Sequence, residues 1–291
     1  MIFATVDIGS NAGRLLISNV YQRNDSILAG KISLVRVPLR LGMDVFEKGY
    51  ISEQKQDSLI KTFKAYNLIR EIYQPVDYIA CATAAMREAT NKEEVLKRIE
   101  NETGNTLQII DGIQEANIIS KANNININKR YSTTLYIDVG GGSTECSVFF
   151  EDKFVASNSF SIGTIRLLFD KVDKNEWDRM KLWLKEFITQ GNEVNCICAG
   201  GNISKLVKLF GNYDNTIDRS QLKNAIKQLE QYTLKERMHN FNLRLDRADV
   251  IAPAAYIYRK IMKWSKVNSL IAPRIGLADG LAIELFKKRS V

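Results

Sequence analysis

The chemistry this sequence offers most directly sits in two short stretches, Val6-Asp7-Ile8-Gly9-Ser10-Asn11 and Ile137-Asp138-Val139-Gly140-Gly141-Gly142, the second followed by Ser143. Each delivers an aspartate at the end of an apolar run into a turn of small residues. Such a turn leaves successive backbone N–H groups without strand partners, and together they form a nest suited to phosphate oxygens. One copy alone is weak evidence and reads first as a plain hairpin whose glycines relax the backbone. Two equivalent copies, Asp matched to Asp and Gly to Gly, point to paired nests that close on one phosphate chain from both sides.

The surrounding residues supply elements to carry these turns. Apolar runs at Ile2 to Asp7, Arg14 to Tyr21 and Ile32 to Leu39 read as strands, the first two joined by a tight hairpin. Helical spacing of Leu59, Ile60, Phe63, Tyr66, Ile69 and Ile72 predicts a helix from Ser52 to Tyr73. Strand Tyr78 to Ala82, helix Lys92 to Glu102, strand Leu107 to Ile110 and helix Ile113 to Ala122 follow, and the Asn-rich stretch Asn123 to Asn128 reads as a linker. The programme then restarts with strands from Thr133 to Asp138, Ser147 to Phe150 and Phe154 to Ser157. Helices over 174–189, 201–210, 219–231 and 247–263, strands near Val194 and Leu270, and a last helix over 278–288 complete it. The expected architecture is α/β, an internal duplication with domain I formed by residues 1–124 plus about 279–291 and domain II by 125–278.

Five blocks in order give this organisation a family likeness: VDIGSNAGRLLI (Val6 to Ile17), ATAAMREATN (Ala82 to Asn91), IDGIQEA (Ile110 to Ala116), IDVGGGSTE (Ile137 to Glu145) and IGTIRL (Ile162 to Leu167). With weaker similarity at Cys198 to Ile203 and Arg247 to Ile251, they span nearly the whole chain. The sequence thus resembles the exopolyphosphatase and guanosine pentaphosphate phosphohydrolase family of the actin, hexokinase and heat-shock ATPase superfamily. The resemblance implies two duplicated actin-like (ribonuclease H-like) domains flanking an interdomain cleft, and magnesium-dependent removal of a terminal phosphate. The implied substrate is inorganic polyphosphate or guanosine pentaphosphate.

Carried over block by block, the resemblance makes Glu115 the general base that positions and deprotonates the attacking water. Asp138 and Glu145 match acids associated with magnesium. Gly9, Ser10 and Asn11 in the first turn and Gly140, Gly141, Gly142 and Ser143 in the second fall to phosphate, and Arg87 matches an arginine on substrate phosphates, a task suited to a guanidinium fork. Asp7 is open between turn structure and metal or water contact, and Arg166 matches a family arginine whose role, structural included, stays open. Two positions depart from the pattern. Gln114 replaces the first acid of the IDGIQEA block, and with Asp111 three residues earlier it forms a capping-box sequence. Ala12 stands where the family has Ser or Thr, which removes a hydroxyl donor and keeps a non-catalytic polyphosphate- or alarmone-binding protein among the alternatives. A sugar kinase or chaperone-like ATPase would share the paired turns but not the IDGIQEA block.

Composition bounds the rest. Of 291 residues 45% are hydrophobic and 25% charged, proportions that exclude a disordered or fibrous chain. The net charge of +8 favours an anionic partner or is solubility charge alone. Lys260, Lys263 and Lys266 could guide a long polyanion or form a solvated helix face. Cys81, Cys146, Cys196 and Cys198 lie in strand-like runs without zinc or redox spacing and read as reduced core residues. The sole histidine, His239, excludes a histidine-rich metal phosphatase domain within this sequence. No apolar run reaches the length of a membrane span, and no leader pattern opens the chain. The expectation is a cytoplasmic protein that binds neither nucleic acid nor membrane, with a homodimer left open.

Overall fold

The computed structural model describes residues 1–24, 26–122, 131–151, 153–188, 194–273 and 275–290. The expected linker at Asn123 to Asn128 lies outside the described residues. Contacts divide the chain into unit 1, Met1–Ile125 with Gly276–Val291, and unit 2, Asn126–Ile275.

Unit 1 runs β1 (Ile2–Ile8), β2 (Gly13–Arg23), β3 (Ser26–Val37), α1 (Leu41–Lys48), α2 (Glu53–Tyr73), β4 (Asp77–Ala82), α3 (Ala84–Glu88), α4 (Lys92–Thr103), β5 (Gln108–Ile109) and α5 (Gly112–Ala122). Unit 2 holds β6 (Thr133–Val139), β7 (Thr144–Phe150), β8 (Lys153–Phe160), α6 (Thr164–Leu168), α7 (Lys174–Phe187), β9 (Val194–Ala199), α8 (Gly201–Phe210), β10 (Thr216–Asp218), α9 (Arg219–Glu230), α10 (Leu234–Asn240), α11 (Leu245–Ala248), α12 (Ile251–Ser265) and β11 (Ser269–Ile271). The chain then returns to unit 1 as α13 (Leu277–Arg289).

Among the described residues, the sheet of unit 1 has the order β3-β2-β1-β4-β5 and that of unit 2 the order β10-β11-β9-β6-β7-β8. With β10 set aside, the second is the first repeated: a central strand antiparallel to the next strand in sequence and parallel to a later one. The two duplicated actin-like α/β units expected from sequence are therefore present in the topology. Central position explains composition, because β1 is covered on both faces and reads as a nearly unbroken apolar run, with Thr5 Oγ1 donating to Ala278 O at 2.9 Å. The edge strand β3, by contrast, leaves Ile32 and Leu34 about half exposed.

The core of unit 2 fills the space between its sheet and helices α7, α8, α9 and α12, with Phe160 edge-on to Trp183 at 5.9 Å between centroids. In unit 1, Phe3 meets Phe286 of α13 at 6.3 Å. All four cysteines are free and buried. Among the described residues no helix is long and apolar enough to cross a membrane.

The structure differs from the sequence reading at one long helix. The run expected over 247–263 is broken into α11 and α12. Pro253 is the cause: it has no N–H to donate to the carbonyl of Asp249 and its ring crowds that carbonyl, so a helix can start here but not pass through. Elements α1, α3, α6, α10 and β10 are additional to the reading; most are too short to display a period.

Candidate active site

In unit 2 the candidate residues gather at the ends of β6 and β9. Asp138 and Glu145 are direct partners across the β6–β7 pair, which puts both carboxylates on one face of the sheet. Glu145 is buried, and its Oε1 accepts from Ser159 Oγ at 2.8 Å. Between them the turn Gly140 to Ser143 is closed by Gly140 N donating to Ser143 O at 2.9 Å. The start of α6 then takes up the turn's carbonyls: Thr164 N donates to Gly140 O at 3.0 Å, Ile165 N to Gly141 O at 2.9 Å and Arg166 Nε to Gly142 O at 2.6 Å. Among the described residues the N–H groups of Gly141, Gly142 and Ser143 have no protein acceptor. Carbonyls held on one side and N–H groups left on the other are what an anion nest requires. Arg166 thus has a definite place, fastening the turn from behind.

Two glycines outside the turns make this packing sterically possible. A β-carbon on Gly163 would lie 2.3 Å from Gly141 O and 2.4 Å from the carbonyl carbon of Gly142. Gly200, at φ +92°, has its α-carbon against Asp138, where a β-carbon would lie 2.6 Å from Oδ1. Asn202 Nδ2 donates to Val139 O at 3.2 Å, and Arg247 donates to Asn202 Oδ1. The buried Tyr258 feels Asp138 as well: its phenol is pushed well up by burial first, with Cys198 and Asp138 adding to the shift, so it stays neutral.

Unit 1 repeats the turn with different chemistry. Gly9 N donates to Ala12 O at 3.1 Å, and the entry to α1 supplies donors to the carbonyls, Gly42 N to Ser10 O at 2.8 Å and Arg40 N to Asn11 O at 3.0 Å. Ala12 is buried and closes the turn through its backbone, so the missing hydroxyl does not disturb the loop. Where unit 2 sets Glu145 opposite Asp138, unit 1 sets Arg14 opposite Asp7, and Arg14 Nη1 meets Asp7 Oδ2 at 2.6 Å. Asp7 is an ion-paired carboxylate with a cation already at hand.

Glu115 enters on the first turn of α5 and is buried. The capping box is formed, with Asp111 N donating to Gln114 Oε1 at 3.0 Å and Gln114 N to Asp111 Oδ1 at 2.8 Å. It fixes the helix entry one residue from Glu115. Arg87, half-buried on α3, donates from Nη1 to Ile110 O at 2.8 Å and so holds the strand end that leads into the cap. Asp7 and Glu115 both act on the Cys81 thiol, which burial first, then Asp7 and Glu284, push up to about 12, with Lys288 opposing and Glu115 adding least. The thiol is therefore an inert neutral group among carboxylates.

Among the described residues no group of three or more His, Cys, Asp or Glu side chains could cage a metal. Magnesium beside phosphate needs fewer, one or two carboxylates plus phosphate oxygens and waters, and the adjacent acids Asp138 and Glu145 fit that donor set. Lys260 and Lys263 of α12 and Lys266 at its C-cap do not form one free row: Lys260 Nζ lies 5.3 to 5.7 Å from the centroids of Tyr256, Trp177 and Trp264, and Lys266 terminates α12 in the left-handed region. His239 is exposed on α10.

The family model described as the Ppx/GppA phosphatase family matches residues 22–289. The chain belongs to the Ppx/GppA phosphatase family. Among curated members and relatives, the bifunctional 3-dehydroquinate synthase/phosphatase of Fusobacterium nucleatum is 30% identical over 195 residues, covering 63% of this chain and 29% of that protein. Exopolyphosphatase 1 of Mycobacterium tuberculosis is 23% identical, covering 97% of this chain and 88% of the relative. A crystal structure of an exopolyphosphatase from Cytophaga hutchinsonii superimposes with a TM-score of 0.83 at 21% identity, covering 99% of this chain and 98% of the other, and shows the shared fold. Within this Ppx/GppA member, sequence reasoning missed Arg14, Gly163, Gly200, Asn202 and Arg247; all five stand in or beside the family-like blocks.

Proposed function

We propose that this Ppx/GppA member hydrolyses the terminal phosphoanhydride of inorganic polyphosphate and releases orthophosphate. The observation that carries the reading is the Gly140 to Ser143 turn, its carbonyls bonded to α6 and its N–H groups left for an anion, one residue from the acid pair. Such preorganised donors stabilise charge that develops on phosphoryl oxygens, and phosphoryl transfer needs little else besides positioning.

In this reading the N–H groups of the Gly140 to Ser143 turn hold the terminal phosphate, and Gly9, Ser10 and Asn11 form a phosphate-binding turn of unit 1. Arg87 keeps one guanidinium edge on Ile110 and offers the other to phosphate oxygens. Asp138 and Glu145 would hold magnesium, which when bound neutralises charge on the reacting phosphates. Glu115 takes the proton of a water as its oxygen attacks the terminal phosphorus; the anhydride P–O bond breaks, and orthophosphate and the shortened chain depart. Four buried free thiols support a reducing, cytoplasmic setting.

The test is phosphate release from polyphosphate, guanosine pentaphosphate and ATP, assayed side by side with and without magnesium. Release from polyphosphate that needs magnesium is expected. Release from guanosine pentaphosphate alone would move the substrate while keeping the chemistry, and tight polyphosphate binding without release would leave a binding protein.

A further inference from the structure

The positive excess of this protein lies almost wholly in one unit. Unit 2 carries 23 lysines and arginines against 16 aspartates and glutamates, and unit 1 carries 18 against 17, so +7 of the +8 belongs to unit 2. Part of that charge is organised on α8. Positions 201, 205 and 208 follow i, i+4, i+7 spacing and share a stripe of the helix. Gly201 carries no side chain, and the guanidinium of Arg247 occupies its place, with Nη2 2.8 Å from where a β-carbon would lie. The stripe therefore reads Arg247, Lys205, Lys208.

No acid offsets the two lysines of this row. Burial first, then Lys208 and Arg247, push the Lys205 ammonium below its ordinary value, with no carboxylate opposing the shift. Among the described residues neither Lys205 nor Lys208 makes an ion pair. Adjacent like charges destabilise a helix surface unless an anion joins them. The row also starts at the site: Gly200, which precedes α8, packs on Asp138, and Asn202 of its first turn bonds Val139 O. At 1.5 Å per residue it extends roughly 10 Å from Gly201 to Lys208.

We propose that Lys205 and Lys208 form a subsite for the distal phosphates of a linear polyphosphate whose terminal phosphate sits at the Gly140 to Ser143 turn. The proposal rests on the polyphosphate reading above and gives the enzyme a preference for longer chains. A three-phosphate chain bound by its end at the turn does not use the far end of the row, and a long chain does.

The test compares the wild type with the double variant Lys205→Ala, Lys208→Ala on long-chain polyphosphate and on tripolyphosphate. For the long chain KM should rise about tenfold, equivalent to about 1.4 kcal/mol, with kcat within twofold. For tripolyphosphate KM should not move, and the salt dependence of long-chain KM should flatten by roughly 0.7 per lost contact in a log–log plot. Lys205→Arg with Lys208→Arg should restore the long-chain KM. An unchanged long-chain KM, or an equal rise for tripolyphosphate, overturns the subsite. Equilibrium binding of long-chain polyphosphate to both proteins separates the two readings: a wild type that releases no phosphate defeats the proposed activity, whereas equal affinities of wild type and variant defeat the subsite alone.

Discussion

Substituting Gly163 by alanine tests whether the turn works through its backbone. The added β-carbon would lie 2.3 Å from Gly141 O, 2.4 Å from the carbonyl carbon of Gly142 and 2.5 Å from that of Gly141. All three neighbours are backbone, so no side chain can swing aside. Reaching ordinary contact demands a displacement of about 1 Å by the turn or by α6, at a cost of about 1–3 kcal/mol for overpacking. The Thr164 N, Ile165 N and Arg166 Nε bonds that hold the turn would stretch with it. A misplacement of this size in a site that acts by positioning lowers rate by about 10²-fold. The expected outcome is a folded protein with Tm reduced by roughly 5 °C and kcat/KM for phosphate release down about a hundredfold. Gly30→Ala is the control, since a β-carbon there meets only Asn19 O at 3.7 Å. Steady-state kinetics with malachite-green detection and a thermal melt of each variant suffice. If Gly163→Ala keeps kcat/KM within twofold of wild type, the turn is not the phosphate cradle.

Four further outcomes are expected. Glu115→Gln should retain polyphosphate affinity and lose roughly 10²- to 10⁴-fold in kcat, as for a general base, and near-normal turnover would remove Glu115 from the chemistry. Gln114→Ala opens the capping box and should cost about 1 kcal/mol by denaturant unfolding with little change in rate. Arg14→Ala leaves the buried Asp7 carboxylate without its ion pair and should destabilise by about 1–3 kcal/mol, measured by urea titration. The side-chain bond from Arg179, helped by the Ser161 N–H, holds the Glu176 carboxyl below its ordinary value of 4.5. Its stabilisation is complete above that ordinary value and is lost as pH falls through the depressed one, so Glu176→Gln should flatten the acid limb of a stability profile.

The sequence was legible where periodicity or a motif is local. Strands β1, β6 and β9, helices α2, α7, α8 and α13 and the Asp111–Gln114 cap all follow from residues within one element of each other, and the duplication from one local motif met twice. Helix α8 begins and ends where its spacing predicts. What escaped depends on contacts between distant segments. Gly163 is needed because the backbone at Gly141 approaches from 22 positions away, Gly200 because Asp138 does, and Arg247 reaches Asn202 across 45 positions. The five-residue helices α3 and α6 show no period, yet α6 is what holds the phosphate turn. Arg14 could have been found from the hairpin register alone, since a two-stranded pair closing on Gly9 to Ala12 must set residue 14 opposite residue 7.

The return of the chain to unit 1 has a consequence in time. Unit 2 is continuous, and all of it leaves the ribosome before the last helix does. Unit 1 lacks α13 until then, and α13 supplies Ala282, Leu285 and Phe286 to the cluster around Phe3, accepts from Thr5 at Ala278 O, and fits Gly280 against Ile118 of the helix that carries Glu115. A β-carbon at Gly280 would lie 2.3 Å from Ile118 O, so no other residue allows that approach. During synthesis unit 2 can therefore fold first, while α5 waits for a clasp made some 150 residues later, an ordering in keeping with domains folding as units. Ribosome-bound chains that end at residue 275 and carry an added linker long enough to clear the exit tunnel should show a protease-resistant unit 2 and an open unit 1.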